Sequence, residues 1–194
     1  MTARETVLAA VRASRPPAVP HPDVSAAIGR FTRLSDPVQS FIDATESAGA
    51  NVVQGDRRDL EALIAAAHDA AGRRVSALES LDERELAEPS PHSFADTEVF
   101  VCEGVLGVAE NGAVWLPLSR LRHRSAVFLA THVIVVLNRA RIVDNLHAAY
   151  EAIDVASEGF GVFVAGPSKT ADIEQALVIG AHGAKGLTVL LVEG

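Results

Sequence analysis

The 194-residue sequence has a single cysteine, Cys102. One thiol cannot close an internal disulfide or build a cysteine-based metal cluster, and the scarcity fits a reducing, cytoplasmic setting. No apolar run reaches the ~18 residues that suggest a membrane span. The opening stretch MTARETVLAAVRASRPP lacks the continuous apolar core of a secretory signal, so no cleaved leader is expected. Basic residues are in deficit: 17 Lys and Arg stand against 25 Asp and Glu, a formal net charge of −8. An acidic surface disfavours nonspecific binding to nucleic acid or anionic membranes, yet leaves room for a local basic pocket. The HExxH, GxSxG and GxGxxG patterns are all missing, as are internal repeats and low-complexity tracts. What is present is 48% hydrophobic and 22% charged, the composition and length of one globular domain. A chain of this length can bury a core without disulfide or metal staples.

Val7, Leu8 and Val11 recur at helical spacing, and the prolines of SRPPAVPHPD then forbid continuation. Residues 1–34 therefore read as a helical arm on an extended linker, either a frayed tail or an arm that docks on a partner subunit. The main domain, 35–194, opens with Asp36 as a cap and Pro37 at the first helical position. Val38, Phe41, Ile42 and Thr45 form one face, and Gly49 ends the helix. NVVQG is a short strand. DRRDLEALIAAAHDAAG is a helix with Leu60, Leu63, Ile64 and Ala67 on one face and Gly72 as its stop. RRVSAL reads as a strand, and Asp82 to Ala87 as a short helix. This alternation predicts an α/β fold with a mostly parallel sheet covered by helices.

The middle breaks the rhythm. In TEVFVCEGVLGVAENGAVWLPL, the pair Asn111-Gly112 signals a tight hairpin whose turn residues accept positive φ, so an antiparallel insert is expected. HVIVVL is a buried strand. Asp144 can cap a helix carrying Leu146, Ala149, Tyr150 and Ile153. GVFVAG is a strand, DIEQALVIGAHG a helix with a broad apolar block, and LTVLLVE a central strand covered on both faces.

The junction AGPSKTADIEQ suggests a phosphate cradle, because backbone N–H groups at a helix start can hold an anion. Ser168, Lys169 and Thr170 would add donors. The P-loop glycine directly before the lysine is missing, however. Asp172 and Glu174 would already complement the dipole, and Asp172 with Gln175 fits a capping box. The alternative is a well-capped corner. Glu110, before the hairpin turn, could serve as nucleophile or general base if desolvated, or it is simply solvated. Arg120, Arg122, His123 and Arg124 form a basic cluster that suits either a carboxylate or phosphate, or a solvated loop. His132 opens a strand, and His182 sits in a last helical turn. Cys102 reads as a buried small apolar residue.

GVAENGAVWL, HVIVVL, RIVDNLHAAYEAI and above all GPSKTADIEQALVIGAHGAKGLTVLLVE resemble the LUD domain, the family of lactate-utilization protein C, from about Ser35 to Glu193. Family members carry Ala-Glu-Thr-Gly where this chain has Ala109, Glu110, Asn111 and Gly112. They carry Gly-Pro-Ser-Arg-Thr-Ala-Asp-Ile-Glu where it runs from Gly166 to Glu174. Lys169 in place of arginine keeps the charge and loses the planar fork. The resemblance implies a three-layer α/β/α fold related to the ribose-phosphate isomerase, sugar-phosphate deaminase and CoA-transferase group. It also implies a part in oxidising lactate to pyruvate beside iron–sulfur subunits. Any clusters would sit in those partners, and no cofactor or metal is expected in this chain. The expected ligand is a small organic acid or phosphate, held by Asn111, Gly112, Gly166, Ser168, Lys169, Thr170 and Asp172. With Asn111, the Glu110 motif is similar to that of CoA-transferases, whose glutamate is the nucleophile, although their glycine-rich oxyanion motif is missing here. Glu110 is thus a catalytic candidate for an acyl-transferring or sugar-phosphate-processing enzyme. A third alternative is a purely structural or regulatory subunit. A homo-oligomer is compatible with all three.

Overall fold

The computed structural model describes residues 2–20, 33–68, 72–78 and 90–194. The chain divides into two units, Met1–Thr32 and Arg33–Gly194. In the first, helix α1 (Ala3–Ala13) begins with a reciprocal capping box between Thr2 and Glu5. The Thr2 side chain satisfies one orphan N–H of the first turn, and Glu5 reaches back to the Thr2 backbone. The short helix expected at Asp82 to Ala87 lies outside the described residues.

The second unit is a mixed α/β structure around a parallel sheet. Its strands are β1 (Asn51–Asp56), β2 (Arg73–Ser76), β3 (Thr97–Gly104), β6 (His132–Asn138) and β11 (Gly186–Glu193), in the order β1-β11-β6-β3-β2. All four ladders are parallel. LTVLLVE is central, as its apolar run on both faces requires. Alternation sorts the strand side chains onto two faces. One face meets α3 (Leu60–Ala67): Leu60 and Ile64 pack on Val99, Val101, Ile134, Val136, Leu190 and Val192. The other meets α2 (Pro37–Ser47), whose Phe41 and Ile42 pack near Phe100, Cys102, Val133, Val135 and Val189. Burying such side chains contributes about 2 kcal/mol each. Asp36 caps α2 through the Gln39 N–H and Pro37 opens it, as the sequence indicates. Gly49, at φ 87°, turns the chain after it.

A second sheet shares the α2 side, in the order β7-β4-β5-β8: β4 (Leu106–Val108), β5 (Ala113–Pro117), β7 (Ile142–Val143) and β8 (Gly161–Val164). Val114 and Leu116 point into the core shared with α2, while Leu106, Val108 and Trp115 pack on the side of Ala149 from α6 (Leu146–Ala152). The expected insert is therefore a complete small sheet.

Three local expectations are corrected. The β4–β5 turn spans Ala109 to Gly112 rather than Asn111-Gly112 alone, and only Gly112 has positive φ. The Ala109 and Glu110 N–H groups donate to the carbonyls of Val143 and Asp144, so these residues follow β7 instead of pairing with β5. Asn145, not Asp144, caps α6, accepting from the Ala148 N–H at 3.0 Å. Asp144 instead offers its carbonyl to Glu110.

The third correction is the largest. DIEQALVIGAHG is not a helix; β9 (Lys169–Ile173) and β10 (Ala176–Ile179) form an antiparallel ribbon. The reason is closure at its base. The Gly180 N–H donates to the Ser168 carbonyl and the Ser168 N–H to the Ala184 carbonyl, both at 2.9 Å. A helix over that stretch would hold its ends about 18 Å apart, so the chain must double back. Glu174 and Gln175 accept φ 53° and 58° at the tip. Asp172 consequently caps nothing, no helix dipole faces the junction, and His182 lies in an exposed loop.

Candidate functional site

The two sequence motifs converge on the end of α2. Gly112 is positive in φ, and a Cβ there would lie 2.5 Å from the Thr45 backbone nitrogen. Gly166, at φ 72°, lies against the Ala48 carbonyl so closely that a Cβ would overlap its oxygen. Only glycine meets both demands. The Lys169 ammonium donates to the same Ala48 carbonyl. A cation at a helix carboxyl end answers both the orphan carbonyls and the dipole. Thr45 is fully buried, and its hydroxyl points to the Gly112 carbonyl at 3.4 Å.

The remaining predicted residues point elsewhere. Glu110 is exposed, and its carboxylate accepts the Leu146 N–H at 3.1 Å, at the start of α6. Asn111 accepts the Ala113 N–H within its own turn at 3.1 Å. Thr170 accepts the Asp172 N–H at 3.3 Å, and Asp172 is exposed on the ribbon. Ser168 lines an apolar pocket of about 260 Å³ with Phe128, Val133, His182 and Leu187. Val133 and Leu187 stand near the start of β6 and β11, so this pocket sits at the amino ends of the parallel strands.

A different cavity, of about 410 Å³, lies at the carboxyl ends. Arg57 follows β1, Ala77 and Leu78 follow β2, and Glu103 stands near the end of β3. Ser119 and Arg120 come from α4 (Leu118–Leu121), and Arg122 lies between it and α5 (Ala126–Leu129). Glu103 is the hub: its Oε1 accepts from Arg57 at 2.7 Å and its Oε2 from Arg120 at 3.0 Å. The three side chains are 24%, 40% and 48% exposed for Glu103, Arg57 and Arg120, so solvent screens these pairs only in part. The Arg122 guanidinium makes no hydrogen bond or ion pair with a described residue. Its backbone sits at φ 55°, ψ −37°, a conformation that costs an L-residue energy and persists only where surroundings impose it. Ser119 donates its hydroxyl to Glu158 at 3.1 Å, from outside the lining.

Sequence reading named Arg120 and Arg122 within their basic cluster, but not Arg57, Glu103 or Ser119. The available signal was Glu103 itself, a carboxylate ending the apolar strand EVFVC. His123 serves packing: it accepts from the Ser125 N–H, and its ring lies 4.7 Å from that of Phe94, tilted by 42°. Cys102 is fully buried, and burial pushes its thiol up to about 12, which leaves no thiolate for chemistry near neutral pH. Among the described residues, no group of three or more His, Cys, Asp or Glu could hold a metal ion. No helix among them is long and apolar enough to cross a membrane.

Fold and motifs together define a mixed α/β domain with a mostly parallel central sheet. Residues 25–192 match the family model described as the LUD domain, and the chain belongs to that family. Among curated proteins, lactate utilization protein C of Anoxybacillus flavithermus is 33% identical over 86 residues, 44% of this chain and 39% of that protein. An uncharacterized protein of Neisseria meningitidis serogroup B is 27% identical over 113 residues, 57% of this chain and 48% of that protein. The chain thus spans less than half the length of either relative. A crystal structure of a DUF162 family protein from Deinococcus radiodurans superposes with a TM-score of 0.62 at 18% identity, covering 80% of this chain and 96% of that one. At that identity the likeness concerns the fold alone.

Proposed function

We propose that this chain is a component of a lactate-utilization system and that it binds a small anionic metabolite in the arginine-lined cleft. The pathway reading rests on LUD family membership and on the similarity to lactate utilization protein C. The binding reading rests on one observation: among the described residues, three guanidiniums and a single carboxylate line one cleft at the carboxyl ends of the parallel strands, two of the guanidiniums paired with that carboxylate. Open α/β sheets take ligands at that edge, and an otherwise acidic chain has no electrostatic reason to concentrate cations there. The iron–sulfur chemistry of lactate oxidation would belong to partner subunits. Glu110, engaged with α6, has the position of a structural carboxylate, and no desolvated site singles it out as a nucleophile.

A thermal-shift series with lactate, pyruvate, malonate and inorganic phosphate tests the binding reading. A ligand that binds only the folded chain must raise its melting temperature. At least one anion is expected to do so at millimolar concentration, and Arg57→Gln/Arg120→Gln should abolish the shift. A flat response to all four overturns it. Co-purification with iron–sulfur subunits from cells growing on lactate tests the pathway reading.

A further inference from the structure

The charge inventory of the cleft says more about the ligand than that it is an anion. Among the described residues, three guanidiniums line it against one carboxylate, a surplus of two positive charges. Glu103 has already committed each of its oxygens, one to Arg57 and one to Arg120. Each guanidinium offers five N–H donors in a fixed fork, so both keep free donors after that pairing. Arg122 gives none of its own to a described residue. Among the described residues, the arrangement therefore holds two cations linked through Glu103 and a third without a partner, on walls whose apolar part is Ala77 and Leu78.

From this we infer that the cleft selects a compact dianion, a dicarboxylate or a phosphate monoester, over the monoanion lactate. The inference rests on the anion-binding reading above. A monoanion leaves one positive charge unanswered, and two separate monoanions each lose translational freedom on binding. A dianion delivers both charges for one association. The volume suits a small metabolite, and the polar lining offers little to an acyl chain. The left-handed backbone of Arg122 fits this role. An arginine held where glycine would be relaxed has a reason to be an arginine.

Isothermal titration at pH 8 with lactate, malonate, inorganic phosphate and glycerol 3-phosphate tests the inference on the full chain. Expected is binding of at least one dianion tenfold or more tighter than lactate, with malonate against the phosphates identifying which chemistry the site takes. Arg122→Gly should cut dianion affinity at least tenfold and lactate affinity by a smaller factor. Because glycine relaxes that backbone, its melting temperature should match or exceed the parent's, which separates lost binding from lost folding. Lactate binding as tightly as every dianion overturns the selectivity and leaves the anion-binding reading standing. Failure of every anion to bind removes both. Unchanged dianion affinity in Arg122→Gly also overturns the inference.

Discussion

The two ends of the central sheet are built on opposite plans. At the amino ends, the stretch from Gly166 to Gly183 folds onto its own backbone: Ser168 closes the ribbon, Gly166 lies under Ala48, and Lys169 covers the same carbonyl. The pocket there is apolar. At the carboxyl ends, three segments far apart in sequence contribute Arg57, Glu103, and Arg120 with Arg122 to a polar cleft. The contiguous, easily noticed motif does architectural work through backbone geometry, which demands particular residues at adjacent positions. The charged cleft needs only side chains that meet in space, so its residues are scattered.

That contrast breaks if the signature turns out to govern ligand binding. The largest expected effect is on stability. Gly166→Ala adds a Cβ against the Ala48 carbonyl at a positive φ, and should cost about 3 kcal/mol in denaturant unfolding. Anion affinity measured well below the lowered melting temperature should be unchanged. A variant that stays stable but loses anion binding would move the site to the amino end. Arg120→Gln is the reverse experiment. It should weaken anion binding at least tenfold, about 1.4 kcal/mol. Its effect on folding should stay within about 1 kcal/mol, because the Arg120–Glu103 pair is partly exposed.

The contrast also explains what the sequence could show. The alternation of helix and strand, the cap at Asp36, the central place of LTVLLVE and the burial of Cys102 were legible because each rests on local pattern. The β9–β10 ribbon was not. Glu174-Gln175 carries no turn signal, and the decisive bonds join Ser168 to Gly180 and Ala184, which no local window contains. The glycines of both motifs were visible as turn residues, but their partners Thr45 and Ala48 lie far back in the chain. Glu103 and Arg57 were illegible as a pair for the same reason, being 46 positions apart.

A smaller effect separates the two ends by pH. His132 opens β6 at the amino end, with its Nε2 2.9 Å from the Thr188 hydroxyl. Burial, reinforced by neighbouring His68 and opposed by Glu98, lowers its pKa from 6.5 to about 4. Between those values the unfolded chain holds the extra proton, so this contribution to stability is full above pH 6.5 and is lost as pH falls through about 4. The ring is only half-buried, and screening reduces the expected loss to about 1 kcal/mol. His132→Gln should flatten the stability profile across that window. A profile as steep as the parent's would assign the acid sensitivity to other groups.

The smallest expected effect tests the residue that the sequence makes most tempting. Glu110→Gln keeps the shape and an acceptor oxygen for the Leu146 N–H and removes the charge at the start of α6. A charged acceptor at a helix start is worth a few tenths of a kcal/mol more than a neutral one when exposed. Unfolding should therefore shift by about 0.5 kcal/mol or less, with anion affinity at the cleft unaltered. In the proposed lactate-oxidising assembly, the variant should support turnover at the parent rate, as expected of a carboxylate engaged at a helix start. Loss of that rate with the fold intact would make Glu110 a reacting group and place chemistry beside the second sheet, away from the arginines.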